Sequence, residues 1–424
     1  MVKYCTLDEL CNDIIDCPHQ SPKWLDSGIF VIRNFNLVNG DIDFSDAYYV
    51  DEDTYTKRTQ RAIPEAGDIV FSREAPIGNC AIIPKRFKCC LGQRLVLLKV
   101  NHSVCSSEYL LAALQSEYIK QQISQVEKSG SIVSNFNIGD LKNLTIPLPD
   151  NQNDIANVYN VLSEKIRNNN NTITALENLV KIIYDYWFLQ FDFPDENGRP
   201  YRSSGGKMVW NEELKREIPE GWEVCTLRNK YSIERGISYT SDDLSDSNGI
   251  PMINLGNIDI HRNYNPNNLK YYQGKLTDAD YLNAGDLLIA CTDMTRNADI
   301  IGCPIMVPND KKYTFTMDLA KITSSSSKII NEYLYSALRT DFYHDYIEKW
   351  ASGTNVMHLN LSGLDWYMIC IPPIEMQEQY AKLIHSAFLT KCNLMAENQQ
   401  LASLRDFLLP LLMNGQVTIE SGVK

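Results

Sequence analysis

Two short patterns in this sequence carry residue types that could act on a phosphodiester. Pro194-Asp195, followed by Glu213-Leu214-Lys215, has the order of a PD…ExK nuclease centre. Such a centre needs its carboxylates on adjacent strands in an apolar setting, where they can hold a hard cation. Here the aspartate sits in a Gly/Pro connector, and the second half sits in "WNEELKRE", which reads as a polar helical turn. The match is therefore read as chance. Cys17-Pro18-His19 offers two ligand types, but no second pair is spaced to complete a tetrahedral site, so a turn is expected. "NPNN" (Asn265 to Asn268) lacks the second proline and the aromatic of an amino-methyltransferase motif. No Gly-x-x-x-x-Gly-Lys-Ser/Thr phosphate loop is present. The six histidines form no recognisable triad. The expectation is no catalytic residue, no metal and no cofactor.

Charge points elsewhere. The net charge of −13 opposes a general attraction to phosphates. Its distribution softens this. Residues 57–99 hold nine Lys/Arg (Lys57, Arg58, Arg61, Arg73, Lys85, Arg86, Lys88, Arg94, Lys99) against three acids (Glu65, Asp68, Glu74). The preceding "DIDFSDAYYVDED" (Asp41 to Asp53) has six acids and no base. One stretch could face DNA while the other must face away; alternatively, both are solvated faces.

These residues need elements to position them. A chain of 424 residues implies two to three domains, and 44% apolar content is enough for real cores. No apolar run is long enough to cross a bilayer, and the N-terminal "MVKYCTLDELCNDIIDC" has no signal-peptide core. Twelve cysteines without a C-x-x-C fit neither a disulfide framework nor zinc, so a reducing cytoplasm is expected.

The chain repeats itself. "GDIVFSREAPIGNCAIIP" (Gly67 to Pro84) is echoed by "GDLLIACTDMTRNADIIGCPIMVP" (Gly285 to Pro308), an offset of 218. "SGSIVSNFNIGDLKNLTIPLP" (Ser129 to Pro149) is echoed by "SGTNVMHLNLSGLDWYMICIPP" (Ser352 to Pro373), with offsets of 223 at Ser-Gly and 225 at Ile-Pro. This is a tandem duplication rather than a short-period solenoid. Expected strands include Asp68 to Ser72, Cys80 to Pro84, Leu95 to Val100, Asp286 to Ala290 and the "LTIPLP" segment. Short helices are expected near Ser106 to Ile123 and Asn331 to Trp350.

Each half ends in a heptad-like stripe: Ile155, Val158, Leu162, Ile166, Ile173, Leu176, Val180, Ile183 and Trp187, then Tyr380, Leu383, Ala387, Leu394, Leu401, Leu404, Leu408 and Leu411. Helices of roughly 35–40 residues, about 55 Å long, follow from a rise of 1.5 Å per residue. The simplest arrangement packs them on each other through Ile155, Val158, Leu162, Leu176 and Ile183 against Leu383, Leu394, Leu401, Leu404 and Leu408. The alternative is that each covers only its own domain. Asn169 fills one core step, a polar layer that would weaken the pairing but fix its register.

The ordered set of "IIDCPHQSP" (Ile14 to Pro22), the two Gly-Asp strand pairs, the two Ser-Gly…Ile-Pro segments, "REIPEGW" (Arg216 to Trp222) and "LRDFLLPLLMNGQV" (Leu404 to Val417) resembles the specificity (S) subunits of type I restriction–modification systems over essentially the whole length. The resemblance implies an α+β fold: a tandem duplication of two mixed α/β target recognition domains, each followed by a long helix, the two helices pairing as an antiparallel coiled coil. The boundaries would be recognition domain one at 1–149, long helix 150–190, connector 191–217, recognition domain two at 218–373 and long helix 374–414. It also implies a non-catalytic DNA-binding subunit that reads an asymmetric bipartite target in double-stranded DNA, with the helices as a ruler between half-sites. Implied partners are two methyltransferase subunits, which bind S-adenosylmethionine, and motor-nuclease subunits, which use ATP; no membrane is involved. A methylation-only or phage-defence complex without the nuclease, or a coiled-coil scaffold with no DNA role, are the alternatives.

Within that frame, base and phosphate readers must be polar groups projected into a groove. In the first domain the candidates are Arg73, Lys85, Arg86, Lys88, Gln93 and Arg94, with Ser131, Ser134 and Asn135 from the echoed segment. In the second they are Thr292, Arg296 and Asn297, then Lys311 and Lys312, then Thr354, Asn355 and His358. The differing middles of the echo, "SIVSN" and "TNVMH", are the expected site of differing base preference.

Overall fold

The computed structural model describes residues 2–74, 76–129, 136–245, 248–259, 261–308 and 311–419. Two compact units emerge: Met1–Asn168 with Gln400–Lys424, and Asn169–Gln399. The division falls inside both long helices, Gln152–Tyr184 and Ile374–Met413, so each unit holds one of the two repeated domains and part of each helix.

In the first unit the core is a four-stranded antiparallel sheet in the order Cys11–Asp16, Leu95–Val100, Ile69–Ser72, Cys80–Ile82. Its two central strands are buried on both faces, which is why they read as unbroken apolar runs. Alternate side chains leave a strand on opposite faces. Ile69, Phe71, Val96 and Leu98 therefore join one core, with the helices Ser107–Leu114 and Glu117–Ser129 and with Ile155 and Tyr159. Val70, Leu95 and Leu97 join another, with Phe30, Ile32 and Leu91.

The second unit repeats the plan. Its sheet order is Tyr231–Arg235, Leu319–Ser324, Leu287–Ala290, Pro304–Met306. Leu287 and Ile289 face one core, Leu288 and Ala290 the other. The helices Asn331–Ala337 and Asp341–Ile347 stand where the first unit has its own helix pair. Each stretch expected to be helical holds two helices, broken at Gln115-Ser116 and again between Leu338 and Thr340.

The duplication extends to single hydrogen bonds. The Gly-Asp pairs are structural. Gly67 and Gly285 take φ of +92° and +82°, and each following aspartate meets a lysine of the neighbouring strand, Asp68 with Lys99 at 2.8 Å and Asp286 with Lys321 at 3.0 Å. Burial pushes the Asp68 carboxyl up, against the pull of Lys99. A glutamine near the start of each long helix clasps the backbone before the first helix of the domain's helix pair. Gln152 accepts from Ser106 N and donates to Val104 O; Gln377 accepts from Ile330 N and donates to Lys328 O and Pro372 O. Each domain is closed by an antiparallel ladder, Lys3–Thr6 with Thr145–Leu148 and Glu223–Thr226 with Met368–Ile371. Those ladders align Leu148 with Ile371, so Pro149 matches Pro372, two residues from the Ile-Pro echo. The second long helix absorbs the difference by starting three residues before Gln377, whereas the first starts at Gln152 itself.

Within the units the helices run antiparallel. In the second unit Tyr184, Trp187 and Phe188 meet Tyr380, with ring centroids 5.0–6.2 Å apart. Further along, Glu177 pairs with Lys391, and Asn169 donates to Glu397 Oε2 at 2.7 Å and Asn398 Oδ1 at 2.9 Å. In the first unit Ile155 shares a core with Leu409 and Leu412, against which Val158 and Leu408 pack. Leu162, Leu176, Ile183, Leu394 and Leu401 are half-buried.

Leu383 and Leu404 depart from the expected stripe. They are 47% and 46% exposed; Tyr380 and Ala387 of the stripe are buried, and the other inward positions include Ile384, Lys391, Leu409 and Leu412. A helix of 3.6 residues per turn drifts about 20° per heptad, so a stripe chosen by leucines slips off the buried face. The Lys391–Glu177 pair lies within the helix seam, with side chains only 9% and 17% exposed. Removing one partner of a buried pair strands the other charge, whereas replacing both with apolar groups removes the desolvation cost. Lys391→Met should therefore lower unfolding stability by about 3 kcal/mol, and adding Glu177→Leu should recover most of it. Chemical unfolding of the two variants checks this; a double variant no better than the single contradicts it.

Candidate nucleic-acid interface

In the second domain a small sheet joins two polar loops. Thr292–Asp293 pairs with Met357–Leu359, which pairs with Ala351–Ser352, and the register sets Thr292 opposite His358. Asp293 is buried, and its carboxylate accepts from Thr295 N, Thr295 Oγ1 and Ile300 N at 2.7–2.9 Å. This fixes the shape of the loop that carries Arg296 and Asn297. Arg296 crosses to the other loop and donates to Asn355 Oδ1 at 2.7 Å. The structure thereby brings Arg296, Asn297, Thr354, Asn355 and His358, all exposed, to one junction. Thr292 stands beneath it: at 5% exposure its side chain belongs to the strand rather than to any reading surface.

Sequence reasoning missed four residues here. Arg235 ends its strand and donates to Met317 O at 3.1 Å, and Ser238 Oγ lies 3.2 Å from Met317 Sδ. Met294 and Met317 are 68% and 51% exposed, unusual for thioether side chains. A search for polar readers passes over methionine. Arg235 carried a usable signal, as a cation at a strand end directly before Gly236.

The first domain builds the same junction from the same backbone bonds. Arg73 N donates to Arg94 O and Phe136 N to Arg73 O; in the second domain Cys291 N donates to Asp318 O and Leu359 N to Cys291 O, all at 2.8–3.1 Å. Around it, Gln93 donates to His19 O, His19 Nε2 lies 3.1 Å from Asp16 Oδ2, and Arg94 pairs with Glu74 at 3.2 Å. Ser131, Ser134 and Asn135 lie outside the described residues.

Several candidates fall elsewhere. Arg73 is 7% exposed and directed at Asp16, 3.4 Å away, so it supports the loops from below rather than meeting a base. Lys85 and Arg86 are exposed, but they follow Ile83, whose backbone closes on Gly67 and Asp68 at the other end of the hairpin. At about 3.3 Å per residue, the five steps from Asp68 to Arg73 put that end about 15 Å from the junction. Lys311 and Lys312 occupy the matching end of the second domain, with Lys312 5.4 Å from the Tyr281 ring centroid. Lys88 pairs with Glu52 at 2.7 Å and lies over the Tyr55 ring.

The basic stretch is therefore not one face. Arg58 is spent on carbonyls of Pro18, Gln20 and Leu91, and Lys99 is tied to Asp68 and Glu65. The Lys88–Glu52 pair brings the basic and acidic stretches into contact, which does not fit the reading that one faces DNA while the other faces away. The acids are likewise engaged, Asp46 with Arg33 and Asp41 with Arg167.

The nuclease-like pattern resolves into turns. Asp195 accepts from Asn197 N, Arg199 N and the Arg199 guanidinium, while Glu213 and Lys215 sit between the hairpin strands Met208–Asn211 and Arg216–Pro219. Among the described residues no three His, Cys, Asp or Glu are grouped to hold a metal ion. The Cys17 sulfur accepts from Leu95 N within the core. No described helix is long and apolar enough to cross a membrane.

Comparison with known proteins agrees with this duplicated architecture. The chain is 25% identical over 378 residues to the MjaIX type I restriction enzyme specificity subunit of Methanocaldococcus jannaschii, covering 85% of this chain and 82% of that one. It is 22% identical over 376 residues to the HindI specificity subunit of Haemophilus influenzae, covering 76% and 80%. The crystal structure of a type I restriction–modification S subunit from M. genitalium shares the fold, with a TM-score of 0.55 and 16% identity over 96% of this chain and 95% of that one. The type I restriction modification DNA specificity domain matches twice, at residues 20–178 and 219–403, and the chain belongs to that family.

Proposed function

We propose that this protein is the DNA target recognition subunit of a type I restriction–modification complex, reading one half of a bipartite target with each domain. The observation that carries this is the shared junction. Two domains alike down to backbone hydrogen bonds expose different side chains at the same loops, as two readers of different half-sites require. Base contacts specify sequence, while phosphate contacts position the reader. The exposed groups at the junction, Arg94 in one domain and Arg296, Asn355 and His358 in the other, are of the types that meet base edges in the major groove.

The subunit is non-catalytic in this account, and partners supply the chemistry. The long helices support that division. Their outward faces carry exposed apolar residues, Leu179, Ile182, Leu383 and Leu389 in the second unit and Val161 and Phe407 in the first. Surface of this kind suits methyltransferase subunits docking along the helices.

Mapping methylated adenines in the host genome with and without this gene tests the reading. A split, asymmetric motif that vanishes with the gene is expected; an unchanged methylation map contradicts it. Within the assembled complex, Arg296→Ala should weaken target binding by about 1–3 kcal/mol if it meets a guanine. Lys85→Ala with Arg86→Ala, at the far hairpin end, should reduce non-specific retention and its salt dependence but leave the target sequence unchanged. Quantitative binding across a salt series separates these effects. A larger specific loss from the Lys85/Arg86 pair would move the interface to that end.

A further inference from the structure

The duplication identifies one turn as a matched position in both domains. In the first domain Leu91 is parallel-paired with Ile32, Gly92 N donates to Ile32 O, and Arg94 O accepts from Arg73 N. In the second, Phe315 is parallel-paired with Ile253, Thr316 N donates to Ile253 O, and Asp318 O accepts from Cys291 N. Leu91-Gly92-Gln93-Arg94 and Phe315-Thr316-Met317-Asp318 are therefore the same turn, each leading into its central strand, Leu95–Val100 or Leu319–Ser324. The sequences share no residue there, so the sequence echo does not show it.

We infer that this turn is a specificity-determining element, reading DNA through Gln93 and Arg94 in the first domain and through Met317 and Asp318 in the second. The inference rests on the DNA-reading function proposed above.

Three observations support it. The turn borders the junction in both domains, bonded to the residue that also holds Phe136 in the first and Leu359 in the second. Its side chains differ in chemistry where the scaffold is the same, and the differences match base edges. Gln and Arg suit adenine and guanine in the major groove, an apolar group suits the thymine methyl, and a carboxylate accepts from the cytosine amino group. Arg94 also holds a left-handed backbone, φ +68°, a conformation that favours glycine. A glycine would relax that strain but remove the guanidinium. In the second domain an acid near phosphates needs a balancing charge. Arg235, which donates to Met317 O, supplies it.

The test exchanges the turns within the complete complex. One variant carries Gln93→Met and Arg94→Asp; the other carries Met317→Gln and Asp318→Arg. Methylated-adenine sequencing of cells expressing each variant reads the motif. Each exchange should change one or two base positions in a single half-site and leave the other half intact. Both motifs unchanged would overturn the inference while leaving the DNA-reading function standing. A wild-type motif that does not depend on the gene would overturn both. Should an exchange fail to assemble, Arg94→Lys and Met317→Leu preserve charge and volume. They should relax, by tenfold or so, the preference at one position of the corresponding half-site, whereas undiminished preference in both would refute the turn's role.

Discussion

The architecture depends on strands that are buried on both faces. In each domain the two central strands of a four-stranded antiparallel sheet separate two apolar cores, so neither can slip by one residue without exchanging every side chain between cores. That fixed register decides which loops meet. At one end it gathers the residues after Ser72 and Ala290, the turn before Leu95 and Leu319, and Phe136 or Leu359. At the other it gathers the Gly-Asp turns and the lysines that follow the second hairpin strand. Variation at the exposed positions of the first end costs the fold little, because the bonds shared by the two domains there are between backbone groups.

The long helices have a different task and a different chemistry. Within the second unit their seam passes from aromatic contacts at Tyr380 to polar ones, the Lys391–Glu177 pair and Asn169 with Glu397 and Asn398. A polar layer contributes less stability than leucine would, but it tolerates only one register. The Gln152 and Gln377 clasps then tie each helix start to the domain it follows, so the register of the helices and the position of the loops are linked within each unit.

Much of this was legible in the sequence. The strands around Ile69 and Leu287 stood out because doubly buried strands are continuously apolar. The duplication stood out because Gly-Asp is required twice, at a left-handed glycine and a lysine-paired aspartate. Asn169 was legible as a polar step in an apolar stripe. Depth was not. A count of bases in residues 57–99 cannot tell Arg73, which is buried, or Arg58, which pins three carbonyls, from a group free to meet DNA. The inward phase of the second helix was hidden because leucines at 383 and 404 lie beside it. The matched turns at Gln93-Arg94 and Met317-Asp318 were hidden because backbone bonds, not residue types, make them equivalent.

The central claim is that each domain reads its own half of one DNA target. Replacing residues 1–149 with the first domain of another family member, then sequencing methylated adenines in the host, tests it most directly. The account predicts a motif in which one half-site changes while the other half is retained. A motif in which both halves change, or neither does, would contradict it.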